Sequence, residues 1–128
     1  MRAGRTLRQV VIARIKAQVP DLTGVFDKAT ETAAHPYVTL GPSYWNDASV
    51  ECVKARLQTL QVDVWHGQTS KGALEDIVDD VAAALDGFAA TDRLTMPPLR
   101  VSMVRVMDDP SGDLHGVIQV EAMVEATA

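Results

Sequence analysis

The sequence predicts an α+β fold, in which a mixed or antiparallel sheet carries two helices packed on one face. Two segments repeat apolar residues every three or four positions, as helices do, whereas others alternate apolar and polar residues, as strands do. The predicted order is helix, short strands, long strand, helix and hairpin, so helices and strands do not alternate regularly. With 128 residues, 47% of them hydrophobic and 23% charged, the chain is expected to form one domain over residues 1–128.

The two helices are predicted over residues 3–19 and 70–86. Thr69 or Ser70 can cap the second helix by accepting a bond from a free backbone N–H. Gly87 stands where a residue after the C-cap is expected. Each helix has one apolar stripe to pack against the sheet, comprising Leu7, Val10, Val11, Ile15 and Val19 in the first and Leu74, Ile77, Val78, Val81 and Leu85 in the second.

Five strands are predicted, with the last two joined as a hairpin. The segment between those two is dense in turn-forming residues. The predicted strands are Val25-Phe26, Tyr37–Leu40, 56–66, 99–107 and 114–125.

Two large apolar residues of the long strand interrupt its alternation. Leu57 and Trp65 fall on the face that otherwise carries the polar Thr59, Gln61 and Asp63. We therefore expect this face to be partly covered, for example by a neighbouring subunit.

Residues 42–55 are predicted to form a connector, because Pro42 lacks the N–H that a central strand needs. Exposed aromatic residues among polar ones are typical of interface anchors. We expect a partly mobile connector that is ordered by contact with a neighbouring subunit; the alternative is a loop folded back over its own core. The candidate interface residues in it are Tyr44, Trp45, Asn46 and Asp47.

Charge is distributed unevenly along the chain. The net charge is −5, yet the first twenty residues contain no acid and include the bases Arg2, Arg5, Arg8, Arg14 and Lys16. This basic face is either solvated or docks an acidic partner, with Arg5 and Arg8 as candidates. The acidic remainder argues against general binding of nucleic acid.

No catalytic, metal or cofactor site is predicted. Cys52 is the only cysteine and has no base near it in the sequence. His35, His66 and His115 lack the spacing of metal ligands, and the acids of residues 108–113 do not fit a twelve-residue calcium loop. No segment is apolar and long enough to suggest a membrane span.

An ordered set of features resembles the tail terminator (tail completion) proteins of long-tailed bacteriophages and gene transfer agents. The set comprises the N-terminal helix, Val25-Phe26-Asp27, Pro36-Tyr37-Val38-Thr39-Leu40-Gly41, the strand ending Val64-Trp65-His66, the helix 70–86, and the closing hairpin with His115-Gly116.

The resemblance implies a small subunit that assembles as a ring, usually six-fold, on the last ring of the tail tube. There it would stop tube growth and offer a surface to the head–tail connector (stopper) protein, while DNA passes through the hole without specific binding. It also implies a place in the virion tail, after synthesis in the bacterial host cytoplasm, and no catalytic residues. We expect an acidic or neutral hole, with the basic helix facing a protein partner or the outer surface, because fixed cations would slow DNA.

Two other functions remain open at this point. One is another head–tail connector component of similar size. The other is a small ferredoxin-like ligand-binding domain or enzyme, which would require a concave pocket with converging polar groups.

Overall fold

Two helices and a five-stranded mixed sheet make up the part of the chain that the computed structural model describes, residues 2–28 and 33–126. The α+β prediction is therefore confirmed. Thr30 to His35 is small and polar in sequence and is expected to be irregular; residues 30–32 of it lie outside the described residues. In chain order the elements are α1 (Ala3–Gln18), β1 (Gly24–Phe26), β2 (Tyr37–Asp47), β3 (Ala55–His66), α2 (Lys71–Leu85), β4 (Arg100–Asp108) and β5 (Leu114–Glu125).

The strands lie in the order β1-β2-β3-β5-β4. β1 runs parallel to β2, and every other pair is antiparallel. β3 and β5 pair along their whole lengths, from Ala55 opposite Glu125 to His66 opposite Leu114. These two strands form the centre of the sheet, and β4 lies at one of its edges.

Both helices pack on the same face of the sheet, as predicted. Each fully buried side chain there contributes roughly 1.5–3 kcal/mol before conformational entropy is subtracted. No described helix combines the length and the apolar character that crossing a membrane requires. The least exposed core residues include Leu7, Val11, Ile15, Leu74, Val78 and Leu85 from the helices, and Val38, Leu60, Val62, Val64 and Ile118 from the sheet.

The ends of α2 follow the sequence closely. The Ser70 hydroxyl accepts a hydrogen bond of 3.1 Å from the Ala73 N–H and so satisfies one free donor of the first turn. Asp86 is the C-cap, and Gly87 follows it with φ = +83°, a left-handed conformation that glycine adopts without strain.

The predicted connector over residues 42–55 is wrong for its first half, because β2 continues through Pro42 to Asp47. Leu40 pairs with Val62 and Ser43 with Leu60, so β2 has one extra residue at this point, which is a β-bulge. β1 pairs only with the start of β2, so at Pro42 the side of β2 that faces away from β3 has no described strand beside it. Pro42 thus lies at a bulge and beside an unpaired edge, two places where a sheet tolerates proline.

Close packing between α2 and β5 gives a first prediction. A Cβ on Gly116 would overlap Cγ2 of Val78, and a β-branched side chain in a helix has little freedom to turn away. Gly116→Ala is expected to lower the free energy of unfolding by about 1–3 kcal/mol. In a denaturation experiment, adding Val78→Ala should make the combined loss smaller than the sum of the single losses by about 1 kcal/mol. Strict additivity would show that the two groups do not compete for space.

Candidate assembly surfaces

The β2–β3 hairpin ends in a segment with large apolar groups in solvent. We define residues 44–54 as the hairpin tip. The tip extends beyond the end of β4, because the first residue of β4, Arg100, is level with Glu121 of β5 and with Tyr44, the first residue of the tip. Four apolar side chains of the tip are exposed by 56%, 53%, 68% and 38%, namely Tyr44, Trp45, Val50 and Val53. Exposed apolar clusters of this kind mark interaction surfaces more often than solitary exposed residues do.

Hydrogen bonds order the hairpin tip without any partner. The Asp47 carboxylate accepts bonds from the Ser49 hydroxyl (2.7 Å) and N–H (3.2 Å), and Ser49 Oγ accepts one from the Ala55 N–H (3.1 Å). Val50 and Val53 exchange two backbone bonds of 3.0 Å. The tip is therefore already arranged for contact, which reduces the entropy lost on binding.

Asp47 reports on this order through its ionisation. The hydrogen bond from the Ser49 hydroxyl, and after it that from the Ser49 N–H, lowers the pKa of Asp47. Because the pKa of Asp47 is lower in the folded chain than in the unfolded chain, its hydrogen bonds stabilise the fold at pH values above its unfolded-state pKa. This stabilisation is lost as the pH falls through the folded-state pKa of Asp47.

Ser49→Ala is expected to raise the pKa of Asp47 toward its ordinary value, as followed by carboxyl NMR titration. Ser111→Ala is a matched control, because Ser111 also follows an aspartate by two residues, donates its N–H to Asp109 and lowers the pKa of that residue instead. An unchanged Asp47 titration in Ser49→Ala would mean that the hydroxyl bond contributes nothing in solution.

An open groove of about 570 Å³ lies against the hairpin tip. Apolar side chains form much of its wall, and Asp47 and Lys54 carry its ionic groups. No histidine lines it. The lining residues are Trp45, Asp47, Ser49, Val50, Cys52, Val53 and Lys54.

The sheet face opposite the helices, here called the open face, mixes polar and large apolar side chains. Cross-strand partners share a face, so Asn46, Leu57 and Met123 form one row of it. Leu57 is half-buried and Met123 is 37% exposed. This confirms the predicted side for Leu57 and Trp65. The other large apolar or aromatic residues of this face are Phe26, Tyr37, Tyr44, Met103, Met107 and Val117.

A polar cluster at the other end of the open face accounts for the cover over Trp65. Its ring stacks on His115, with centroids 3.9 Å apart, and its Nε1–H donates to Thr39 Oγ1 at 2.9 Å. His115 Nε2 lies 2.7 Å from Asp63 Oδ1, which also accepts a 2.9 Å bond from Gln61 Nε2. Residues of the same chain therefore bury part of Trp65, whereas Leu57, which lies between Asn46 and Met123, is not part of this cluster and remains an interface candidate.

Sequence reasoning missed this cluster because its members are far apart in the chain. Asp109 completes it, with Oδ1 3.6 Å from Nδ1 of His115. Across the described ranges no group of three or more His, Cys, Asp or Glu residues is arranged to hold a metal ion. Trp65 covers the imidazole, and the only hydroxyl in the cluster is that of Thr39, which bonds Trp65. The arrangement acts as a polar tie between β3 and β5.

Two of the five N-terminal bases bind their own chain. Arg8 forms an ion pair with Asp27 (3.1 Å) and donates to the Gly41 carbonyl at 2.9 Å. Arg14 donates to the Ala84 carbonyl at 2.8 Å and lies over the Phe88 ring. Arg8 thus holds α1 to the bulge of β2, whereas Arg5 is exposed and available to a partner.

Comparison with known proteins gives a consistent result. The profile of a family described as "Tail completion protein gp17" matches residues 8–125. A chain in the virion of a native gene transfer agent particle superposes with a TM-score of 0.69 at 19% identity, covering 95% of this chain and 90% of that one. The gp17 protein of bacteriophage SPP1 superposes with a TM-score of 0.58 at 22% identity, covering 94% and 89%. No curated protein sequence shows significant similarity.

Proposed function

The chain belongs to the tail completion protein gp17 family, and from this we propose that it ends the tail tube as a ring of subunits, six in number. Members of this family are structural proteins of the tail of a phage or gene transfer agent particle. The proposal adds the ring, the end of tube growth and the surface for the head.

The observation that carries the proposal is the hairpin tip. It is hydrogen-bonded within one chain, yet it leaves Tyr44, Trp45 and Val50 more than half exposed. A subunit that folds before assembly and then docks through preformed apolar anchors has this combination of order and exposure. We propose that the assembled ring contacts the tail tube protein on one side and the head–tail connector (stopper) protein on the other.

Charge supports a particular orientation of the subunit in the ring. The solvent side of α2 carries exposed acids, whereas α1 exposes Arg5 and Lys16. We propose that acidic or neutral surface lines the hole, because each phosphate held by a fixed cation would retard DNA. A ring structure with a hole lined chiefly by the α1 bases would contradict this orientation. The exposed acids of α2 are Glu75, Asp76, Asp79 and Asp80.

The test is electron microscopy of particles from cells that lack this chain. Tail tubes of variable length without attached heads are expected, and expression of the wild-type chain should restore tails of one length joined to heads. Reconstruction of complemented particles should show one ring of this protein at the head-proximal end of the tube. Normal tails in its absence, or density for it as a single copy or a fibre, would contradict the proposal.

A further inference from the structure

The exposed large apolar residues of the described chain fall mainly into two separate groups. One is the hairpin tip. The other, which we call the β4 patch, lies along the free edge of β4 and consists of Arg100, Met103 and Arg105, which are on the open face, and Val104, which is on the helix side. Met103 is 37% and Val104 42% exposed, and Met123 lies between the two groups on β5. Single exposed apolar residues are ordinary, but two clusters at different places suggest two contact surfaces.

The two groups carry opposite charge. The hairpin tip, residues 44–54, contains the acids Asp47 and Glu51 and one base, Lys54, which gives a net charge of −1, whereas residues 99–107 contain Arg100 and Arg105 and no acid, which gives +2. Within residues 2–28 and 33–126, neither arginine of the β4 patch forms an ion pair. Complementary charge of this kind selects the partner and its orientation.

The hairpin tip and the β4 patch cannot meet within one chain. The two groups approach most closely in the row where Tyr44 is level with Arg100 through Thr59 and Glu121. β3 and β5 lie between these two residues, so three strand spacings of roughly 4.8 Å, about 14 Å in all, separate their backbones. Contact between the two groups therefore requires two copies of the chain.

We propose that the hairpin tip of one subunit docks on the β4 patch of a second copy of this chain. In this contact the apolar side chains of the tip, Trp45 and Val50 among them, lie along the free edge of β4. They contact Met103 on its open face and Val104 on its helix side, and the acids of the tip face the two arginines. A contact that joins two different surfaces of one chain repeats from copy to copy and closes as a ring when the rotation allows it. The inference rests on the proposed ring and specifies how its subunits join.

The exposed edge of β4 favours side-chain docking over strand addition. Its arginines, together with the bulge between Val101 and Met103, are features that protect an edge strand from indiscriminate pairing. The neighbouring hairpin therefore supplies apolar side chains to the patch, and the twist of each sheet is left unchanged.

Cys52 allows a direct test, since it is the only cysteine and lies exposed on the hairpin tip. Particles are assembled with Val104→Cys, or with Met103→Cys as a second variant, and are then oxidised. A disulfide forms only when the two Cα atoms come within about 7 Å. We expect a ladder of covalent oligomers on a non-reducing gel, ending at the copy number of the ring and collapsing to monomer with reductant.

Three controls define the result. The wild type and Cys52→Ser/Val104→Cys hold one cysteine each and should give no ladder. Asp79→Cys, on the outer side of α2, should give none either. Tails that contain the Val104→Cys and Met103→Cys proteins but yield only monomer would overturn the proposed contact and leave the proposed function standing. Absence of the wild-type protein from tails would overturn the function itself.

Charge reversal gives an independent measurement. Arg105→Glu and Glu51→Arg should each reduce the yield of completed tails by about tenfold or more, and the combined variant should recover most of the loss, because the exchange restores opposite charge across the contact. Losses that simply multiply in the combined variant would argue against the pairing of these two surfaces.

Discussion

Replacing Tyr44 and Trp45 together by alanine should leave the subunit folded while weakening its incorporation into tails at least about a hundredfold. Buried aromatic anchors commonly contribute about 2 kcal/mol or more each to an interface. Every 1.4 kcal/mol changes affinity by roughly tenfold. Both side chains are more than half exposed in the single chain, so the core loses nothing with them. Circular dichroism and counts of completed tails provide the two readouts.

The internal cost of this double variant is small and can be stated. Trp45 lies over the Arg56 guanidinium at 4.7 Å, a contact that contributes about 0.5–1 kcal/mol at an exposed site. Tyr44→Phe/Trp45→Phe keeps the ring surfaces and is the matched control, which should retain most tail completion. Wild-type completion by the alanine variant would remove the hairpin tip from the list of interfaces.

Asp63→Ala is expected to lower the free energy of unfolding by about 2–4 kcal/mol. Asp63 is only 6% exposed, and its loss leaves His115 Nε2 and Gln61 Nε2 without their acceptor. A polar group that is left without a partner in a buried site costs about 1–3 kcal/mol, and more if it is charged. Chemical denaturation provides the measurement, and Trp65 fluorescence should report the change directly because its ring stacks on His115.

Asp109→Ala is the matched control for that cluster. Its carboxylate lies farther from His115, at 3.6 Å from Nδ1, and its side chain is 23% exposed, so solvent replaces much of the lost interaction. A much smaller loss than that of Asp63→Ala is expected. Equal effects of the two substitutions would show that Asp63 has no special place in the cluster.

Sequence patterns predicted most of the secondary structure, because the interactions that begin and end these elements join residues close together in the chain. Ser70 and Gly87 mark the two ends of α2 through bonds and dihedral angles made within a few residues. The strand that contains Pro42 was predicted too short, because tolerance of a proline depends on which strand lies beside it. That neighbour, β1, pairs only with the beginning of β2 and leaves Pro42 unopposed.

The candidate surfaces show the same division between local and distant information. Alternation along β3 correctly predicted the face of Leu57 and Trp65. It could not predict that Trp65 stacks on His115, because that contact depends on the register of two strands that are distant in sequence. Nor could composition distinguish Arg8, which binds Asp27 and the β2 bulge, from the solvent-exposed Arg5.

The bulge at Gly41-Pro42 decides to which face of the sheet each side chain of residues 43–47 points. Successive side chains of a strand point to opposite faces, so one extra residue reverses the assignment of every position that follows it. Beyond the bulge, Trp45 shares the helix side with Gln58, and Tyr44 shares the open face with Thr59. Deleting one residue here would exchange the two aromatic rings between faces and leave their chemistry unchanged. A single insertion or deletion at the bulge would thus be enough to turn the aromatic side chains of the hairpin toward a neighbour on the other face of the sheet.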